Sequence, residues 1–305
     1  MEQDLPAQLI YSNLCDIGVV VNDLDKTVKR LEALGIGPFK PARPPEGAEG
    51  LYYRGKPLVS KFRGLVARLG NVEMEIFEPG GKPNPWEEFL ETKGEGIHHV
   101  GFHVDDVEKE VNRLTGQGAE VTLTGMINGK LAAAYVDLKV ANILIELMSF
   151  HGTEQDSPAN LTFAKPWDMA VLVTDMDKAA KRLEALGIGQ FIQGGGPPEG
   201  AEGLYYRGKP LESNSQACIM RMGNMNLELI QPDDKPNPWA GFLNTKGEGI
   251  HHIGFRVNDV EKEVNRLTGL GAEVPFFGKI SGKIGAAYVD LKIANLFFEL
   301  TSFGA

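Results

Sequence analysis

Residues 93–99 read Lys93-Gly94-Glu95-Gly96-Ile97-His98-His99, and residues 246–252 repeat those seven without change. Each copy runs into an apolar strand, Val100-Gly101-Phe102 or Ile253-Gly254-Phe255. A segment Asp-Val-Glu-Lys-Glu-Val-Asn-Arg-Leu follows, with apolar residues at helical spacing (Val107, Val111, Leu114) and a glycine after it. A histidine pair entering a buried strand is a place for metal chemistry. Its exact recurrence makes internal duplication the first question about the fold.

The duplication extends outward from this stretch. Glu75 and Glu228, His99 and His252, and Glu146 and Glu299 are each 153 residues apart. Asp16 and Asp168 are 152 apart, because the second copy carries one extra residue between Phe191 and Glu199. Shared blocks such as Lys-Pro-Asn-Pro-Trp and Ala-Ala-Tyr-Val-Asp-Leu-Lys fill the space between. We therefore read a first domain over 1–151, a polar linker over 152–160 and a second domain over 161–305.

A fainter repeat lies inside each half. Asp16-Ile-Gly-Val-Val-Val, an Asp/Asn-rich turn and a helix ending at Gly35 match His99-Val-Gly-Phe-His-Val, Asp-Asp-Val-Glu-Lys and a helix ending at Gly116. Strands are expected near 60–69 and 71–78 in the first unit and 131–137 and 142–149 in the second. The fold class is α+β, built from four βαβββ modules, two per half.

Bulk properties restrict the function. The chain has 305 residues, 42% of them hydrophobic, with a formal charge of −10. That excess of acid argues against a nucleic-acid or acidic-membrane partner. Cys15 and Cys218 occupy non-equivalent places, so no disulfide framework is implied. The start, Met-Glu-Gln-Asp-Leu-Pro, lacks a signal-peptide pattern, and no apolar run is long enough to span a bilayer. A cytoplasmic protein acting on a small molecule is expected.

Strand alternation sorts the polar residues. Asp16 shares a face with Gly18 and Val20, opposite Cys15, Ile17 and Val19. Glu75 shares one with Glu73 and Phe77; His99 shares one with Gly101 and His103, leaving His98 to the helix side as a core histidine. Glu146 sits in the apolar run Ile143-Leu-Ile-Glu-Leu. Each key strand thus offers one polar residue, giving Asp16, Glu75, His99 and Glu146 in one half and Asp168, Glu228, His252 and Glu299 in the other.

This layout resembles the vicinal oxygen chelate superfamily, which includes glyoxalase I, methylmalonyl-CoA epimerase, extradiol dioxygenases and bleomycin-resistance proteins. The resemblance rests on Gly-Glu-Gly-Ile-His-His-Val-Gly-Phe, on Ile-Glu-Leu or Phe-Glu-Leu near each domain's end, and on Glu75 or Glu228 four residues before Pro79 or Pro232. It covers nearly the whole chain, once per half, and is nearest to the methylmalonyl-CoA epimerase-like branch. It implies curled mixed sheets around concave clefts, with a divalent metal held by the two quartets. Where the family usually has His at the first position, both halves here have Asp. The two-His-one-carboxylate iron triad is therefore missing. The donor set favours Mn²⁺, Mg²⁺, Fe²⁺ or Co²⁺ over Zn²⁺ without choosing among them.

Electrostatics makes the same demand. Three carboxylates ~4 Å apart would repel by about 12 kcal/mol at an effective dielectric of ~20, comparable with the whole stability of a domain. A cation or bound protons must relieve that. Further substrate contacts are expected from His103 and its counterpart Arg256, and from Tyr53, Arg54, Tyr206 and Arg207 in a glycine-centred turn. Trp86 and Trp239 are expected to anchor short helices.

The implied activity is a metal-dependent isomerase or epimerase, or a glyoxalase-like lyase, removing a proton beside a carbonyl of a 2-oxo or acyl-thioester substrate. Glu146 and Glu299 are the first candidates for the base, Glu75 and Glu228 the second. The alternative is a non-catalytic binding protein of the bleomycin-resistance kind. The halves should pair as an intramolecular pseudo-dimer, and the sequence leaves further assembly open. Lys61, Phe62 and Arg63 correspond to Asn214, Ser215 and Gln216 in the repeat, so unequal clefts are expected.

Overall fold

The computed structural model describes residues 14–150, 163, 166–194, 200–222 and 225–302; the linker expected at 152–160 lies outside them. Each half forms a ten-stranded curled sheet. In the first half the strands are β1 (Leu14–Val20), β2 (Lys40–Pro41), β3 (Ala48–Tyr53), β4 (Lys56–Pro57) and β5 (Lys61–Leu69). They continue with β6 (Val72–Gly80), β7 (Gly96–His103), β8 (Glu120–Ile127), β9 (Lys130–Asp137) and β10 (Leu144–Met148). In space they run β2-β5-β6-β1-β7-β10-β9-β8-β3-β4.

The second half repeats that order. Its strands are β11 (Pro166–Leu172), β12 (Ile192–Gln193), β13 (Ala201–Tyr206), β14 (Lys209–Pro210) and β15 (Gln216–Met222). The rest are β16 (Met225–Gln231), β17 (Gly249–Arg256), β18 (Glu273–Ile280), β19 (Lys283–Asp290) and β20 (Phe297–Thr301).

Four helices match the sequence reading: α1 (Leu24–Ala33), α3 (Val107–Thr115), α4 (Met176–Ala185) and α6 (Val260–Gly269), and two short ones, α2 (Pro85–Lys93) and α5 (Ala240–Lys246), follow the Pro-Asn-Pro-Trp connectors. The Asp residues read as caps do cap: Asp23, Asp106, Asp175 and Asp259 each accept from the N–H three residues on. Such a cap is worth about 1 kcal/mol. Trp86 and Trp239 are buried, as anchors should be. No helix among the described residues is long and apolar enough to cross a membrane.

The helix faces of both sheets merge into one apolar core, where Ile17, Val100 and Leu147 join Met169, Ile253 and Leu300. The contacts sealing that core are isologous, each made once in each direction. Arg30 donates to the Leu270 carbonyl at 2.6 Å and Arg182 to the Gln117 carbonyl at 2.7 Å. Arg113 donates to the Leu186 carbonyl at 2.6 Å and Arg266 to the Leu34 carbonyl at 2.9 Å. These guanidiniums satisfy carbonyls at helix C-termini, where positive charge is also favoured by the helix dipole. Lys93 and Lys246 exchange bonds in the same way, each donating to the other's carbonyl. The halves are thus a pseudo-dimer within one chain.

Three local features depart from simple alternation. The β3–β4 hairpin leaves its own module and pairs with β8, closing the far side of the cleft. A register shift between Leu14 and Asp16 places a bulge at Cys15, and the same shift between Pro166 and Asp168 places one at Trp167. A second bulge falls at His98, between His99 opposite Gly18 and Ile97 opposite Val19, and recurs at His251. Bulges re-aim side chains. Cys15 and Trp167 therefore line the clefts rather than the core, and His98 and His251 turn to the concave side, which corrects the alternation reading of Cys15 and His98. Cys218 stays in the core.

Candidate metal centre

In the first half Asp16 from β1, Glu75 from β6, His99 from β7 and Glu146 from β10 each offer one ligand atom, all within 4.8 Å of one another. Strand register brings them there. Gly18 lies between His99 on one neighbour and Glu75 on the other, and Gly101 lies between Asp16 and Glu146. The two glycines are the space that the ligands occupy. A Cβ on Gly18 would lie 1.9 Å from His99 Cε1, and one on Gly101 would lie 2.7 Å from Asp16 Cβ.

His99 Nε2 is 3.3 Å from a Glu146 oxygen and 3.5 Å from an Asp16 oxygen. Yet Nε2 and Asp16 Oδ1 are buried without a hydrogen-bond partner. Burial disfavours a charged imidazole, but Asp16 and Glu146 outweigh it and raise the His99 pKa to about 10. Burial raises Glu146 to about 7, against its contact with His99 and with help from the Asp16 charge. Glu75 is pushed well above the usual carboxylate range by burial and then by Asp16 and Glu146. The cluster thus retains protons that such groups in water would lose at neutral pH. One imidazole and three carboxylates with orphaned, converging acceptors fit a hard divalent cation, which would replace those protons.

The second half is not a copy. Asp168, His252 and Glu299 converge within 4.8 Å, but Glu228 stands outside that group, so the expected quartet is a trio. Glu228 lines the same cavity, and burial together with the charges of Glu299 and Asp168 raises its pKa. His252 Nε2 lies 3.3 Å from a Glu299 oxygen. His252 Nε2 and Asp168 Oδ1 are again orphaned. Ala170 occupies the place of Gly18, opposite His252. Burial lowers the His252 pKa to about 4, offset only in part by Asp168. Burial lifts Glu299 to about 7, and lifts Asp168 well above its usual range with the Glu299 charge adding to it.

Behind each ligand histidine stands its sequence neighbour. His98 Nδ1 is 2.8 Å from His99 Nδ1, and His251 repeats the contact with His252 at 2.8 Å. A histidine that ligates through Nε2 must carry its proton on Nδ1 and donate it. His98 then accepts at Nδ1 and keeps its own proton on Nε2, beside the Pro85 carbonyl. Burial and the His99 charge hold His98 well below the usual imidazole pKa, so it stays neutral.

The other expected contacts divide. His103 lines the first cavity, of about 190 Å³. Arg256 stacks on Trp167 with its guanidinium carbon 3.4 Å from the ring centroid. Tyr53 packs into the apolar cleft wall with Phe77 and Trp86, and Tyr206 packs against the equivalent wall. Arg54 and Arg207 do not reach the centre. They sit at the β3–β4 and β13–β14 turns with positive φ, Arg54 exposed and paired with Glu88 at 2.9 Å.

The sequence reading missed Tyr135 and Tyr288, whose rings lie 4.4 and 4.5 Å from His99 and His252. Their shared Ala-Ala-Tyr-Val-Asp block was visible; their place opposite Glu146 and Glu299 needed the register. Divergence at Phe62 also has a spatial result. Phe62 packs on Trp86 at 4.5 Å, and Trp86 stacks on Phe77 at 4.8 Å. Ser215 and Ile230 replace the two phenylalanines, and the second cavity opens to about 280 Å³ with Trp239 on its wall. Arg63 instead points to Asp25 and Glu78, away from the cleft.

Comparison with known proteins agrees with this architecture. The family model for the glyoxalase/bleomycin resistance protein/dioxygenase superfamily matches residues 15–136 and again 167–285. An uncharacterised protein, YqjC of Bacillus subtilis, is 28% identical over 137 residues, 42% of this chain and 98% of that protein. An ethylmalonyl-CoA/methylmalonyl-CoA epimerase of Cereibacter sphaeroides is 40% identical over 70 residues, 22% of this chain and half of the epimerase. Among solved structures, a variant of 4-hydroxymandelate synthase from Streptomyces coelicolor superposes with a TM-score of 0.64 at 18% identity, covering 97% of this chain and 94% of the synthase. The halotolerant catechol dioxygenase BphC superposes at 0.54 with 12% identity, covering 96% of this chain and 87% of that one. These last two likenesses show a shared fold. With its family model matched twice over most of its length, the chain belongs to the glyoxalase/bleomycin resistance protein/dioxygenase superfamily.

Proposed function

We propose that the protein is a divalent-metal-dependent isomerase or epimerase, or a related lyase, that removes a proton from the carbon beside a carbonyl of a small 2-oxo or acyl-thioester substrate. The observation that carries this reading is the position of Glu146 and Glu299. Glu146 is buried and Glu299 half-buried, and each has a pKa of about 7 and touches the histidine of a converging donor cluster. A general base works best with its pKa near the working pH. A divalent cation held by Asp16, Glu75, His99 and Glu146, or by Asp168, His252 and Glu299, supplies Lewis acidity toward a carbonyl oxygen.

The chain's own residues do the rest. The carboxylate of Glu146 takes the proton from the α-carbon, and the C–H electron pair moves toward the carbonyl. Glu146, now carrying that proton, returns it to the same carbon, and Glu75, on another strand of the cluster, is the second candidate for the exchange. The sequence is redox-neutral and needs no second reactant. Tyr135 walls one side of His99, and the buried apolar ring of Val20, Phe77 and Trp86 keeps water from the base. The partial likeness to an ethylmalonyl-CoA/methylmalonyl-CoA epimerase supports the acyl-thioester class.

The test is exchange of α-protons for deuterium across a panel of acyl-CoA and 2-oxo compounds, with metal content measured alongside. About two ions per chain and exchange that Glu146→Gln and Glu299→Gln abolish are expected. Metal-free protein that binds panel members unchanged would point to the sequestering alternative.

A further inference from the structure

The two clefts of this pseudo-dimer have diverged in charge at the rim beyond the donor cluster. In the first half the bulge at β1 presents Cys15, β7 ends in His103, and Arg68 lies 3.5 Å from Glu73. In the second half the same three positions hold a different set. The bulge presents Trp167, β17 ends in Arg256, and Asn226 stands opposite Arg221 where the first half has Glu73 opposite Arg68. One carboxylate has been removed and one guanidinium added.

The added guanidinium is held, not loose. Arg256 lies 3.4 Å over the Trp167 ring, a stacking contact, while Arg221 sits 5.7 Å from the same ring. Arginine stacked by its face keeps its N–H donors in the plane, free to point sideways at an oxyanion. Its Nε is buried and has no hydrogen-bond partner. Burial and the neighbouring Arg221 charge both lower the Arg256 pKa, so two cations are crowded here. Trp167 itself lines the 280 Å³ cavity, as does Thr301, the register partner of Arg256. Further in, that cavity is walled by Ile230, Trp239 and Phe276 and ends on Asp168 and Glu299.

From these contacts the geometry points to a carboxylate subsite in the second cleft: Arg256, propped on Trp167, receives an anionic group remote from the reacting carbonyl. The second half therefore takes a substrate with two polar ends, a chelating 2-oxo or acyl end at Asp168, His252 and Glu299 and a carboxylate at the rim, joined by an apolar body. The first half offers a differently charged rim, His103 and the Arg68–Glu73 pair, with Arg43 on the same cavity wall. This assignment rests on the proposed function for its chelating end and is independent of it for its anionic end.

The experiment is calorimetric binding of straight-chain 2-oxo dicarboxylates of several lengths, each against the matching 2-oxo monocarboxylate, on the full chain with and without added Mn²⁺. Wild type should prefer one or more dicarboxylates by at least about tenfold, as expected for a charge-assisted hydrogen bond. Arg256→Gln should erase that preference, and Arg256→Lys should restore only part of it, because an ammonium does not stack and fork in the same way. Equal binding of both classes by wild type, or an unaltered preference in Arg256→Gln with native thermal unfolding, overturns the subsite. A dicarboxylate preference that persists without Mn²⁺ in protein that never binds metal would keep the subsite and overturn the metal-dependent function.

Discussion

Gly18 and His99 stand opposite one another on β1 and β7, so close that a single methyl on Gly18 would lie 1.9 Å from the imidazole. The ring fills the space that a side chain would need. In the second half that methyl exists, as Ala170, and His252 has an ion pair with Glu299 but none with Asp168 among the described residues. A hydrogen-for-methyl difference on the neighbouring strand acts directly on where the imidazole sits relative to that aspartate.

Gly18→Ala should therefore push His99 away from Asp16 and weaken metal binding in the first half alone. Overpacking of a buried site costs typically ~1–3 kcal/mol, so a drop in melting temperature should accompany the loss. Ala170→Gly should leave the first site unchanged. Mn²⁺ titration monitored by electron paramagnetic resonance would resolve the two sites, and equal affinities in Gly18→Ala and wild type would refute the steric account.

His98 is predicted to set the tautomer of His99 through their 2.8 Å Nδ1 contact. Replacing His98 by Phe removes the acceptor but keeps a ring against Phe89. Metal affinity should fall by about 10–100-fold, the usual cost of losing the partner behind a ligand histidine. His98→Asn, which retains an acceptor oxygen, should recover part of it. Unchanged affinity in both variants would make His98 a packing residue only.

Metal uptake should depend on pH differently in the two halves. Without metal His99 is protonated up to about pH 10, whereas His252 is neutral above about pH 4. Between those values the first imidazole must release a proton to bind metal and the second need not, while Glu75 in the first half and Asp168 in the second each add one carboxyl of raised pKa. Log affinity should then rise by about one unit more per pH unit in the first half. Calorimetry of His252→Ala and His99→Ala, each with one intact site, in buffers of different ionisation enthalpy counts the released protons directly. Equal counts would mean that the acids around His99 do not hold its proton.

Glu146→Gln and Glu299→Gln should lower α-proton exchange by about 10²–10⁴-fold for the half affected, the usual contribution of a positioned base. Because each glutamine keeps a ligating oxygen, metal content should fall less than activity. Exchange in Glu146→Gln indistinguishable from wild type, with both sites metallated, would move the base to Glu75 or to the second half.

Much of this was legible in the chain itself. Duplication, the helix caps at Asp23 and Asp106, the short helices after Lys-Pro-Asn-Pro and the one-polar-residue-per-strand pattern are local properties, encoded by the residue and its near neighbours. Asp16, Glu75, His99 and Glu146 were picked out by pattern and resemblance and do converge. What the chain alone could not settle was everything decided between strands. The bulges at Cys15 and His98 reverse which face those side chains take, and a bulge depends on the partner strand's register. The same dependence hid Tyr135 beside His99, sent Arg54 to an exposed turn through the β3–β4 crossover, and left Glu228 outside its trio. Periodicity fixes a side chain relative to its own strand; only the packed sheet fixes the strand relative to its neighbours, and the candidate metal centre is made of neighbours.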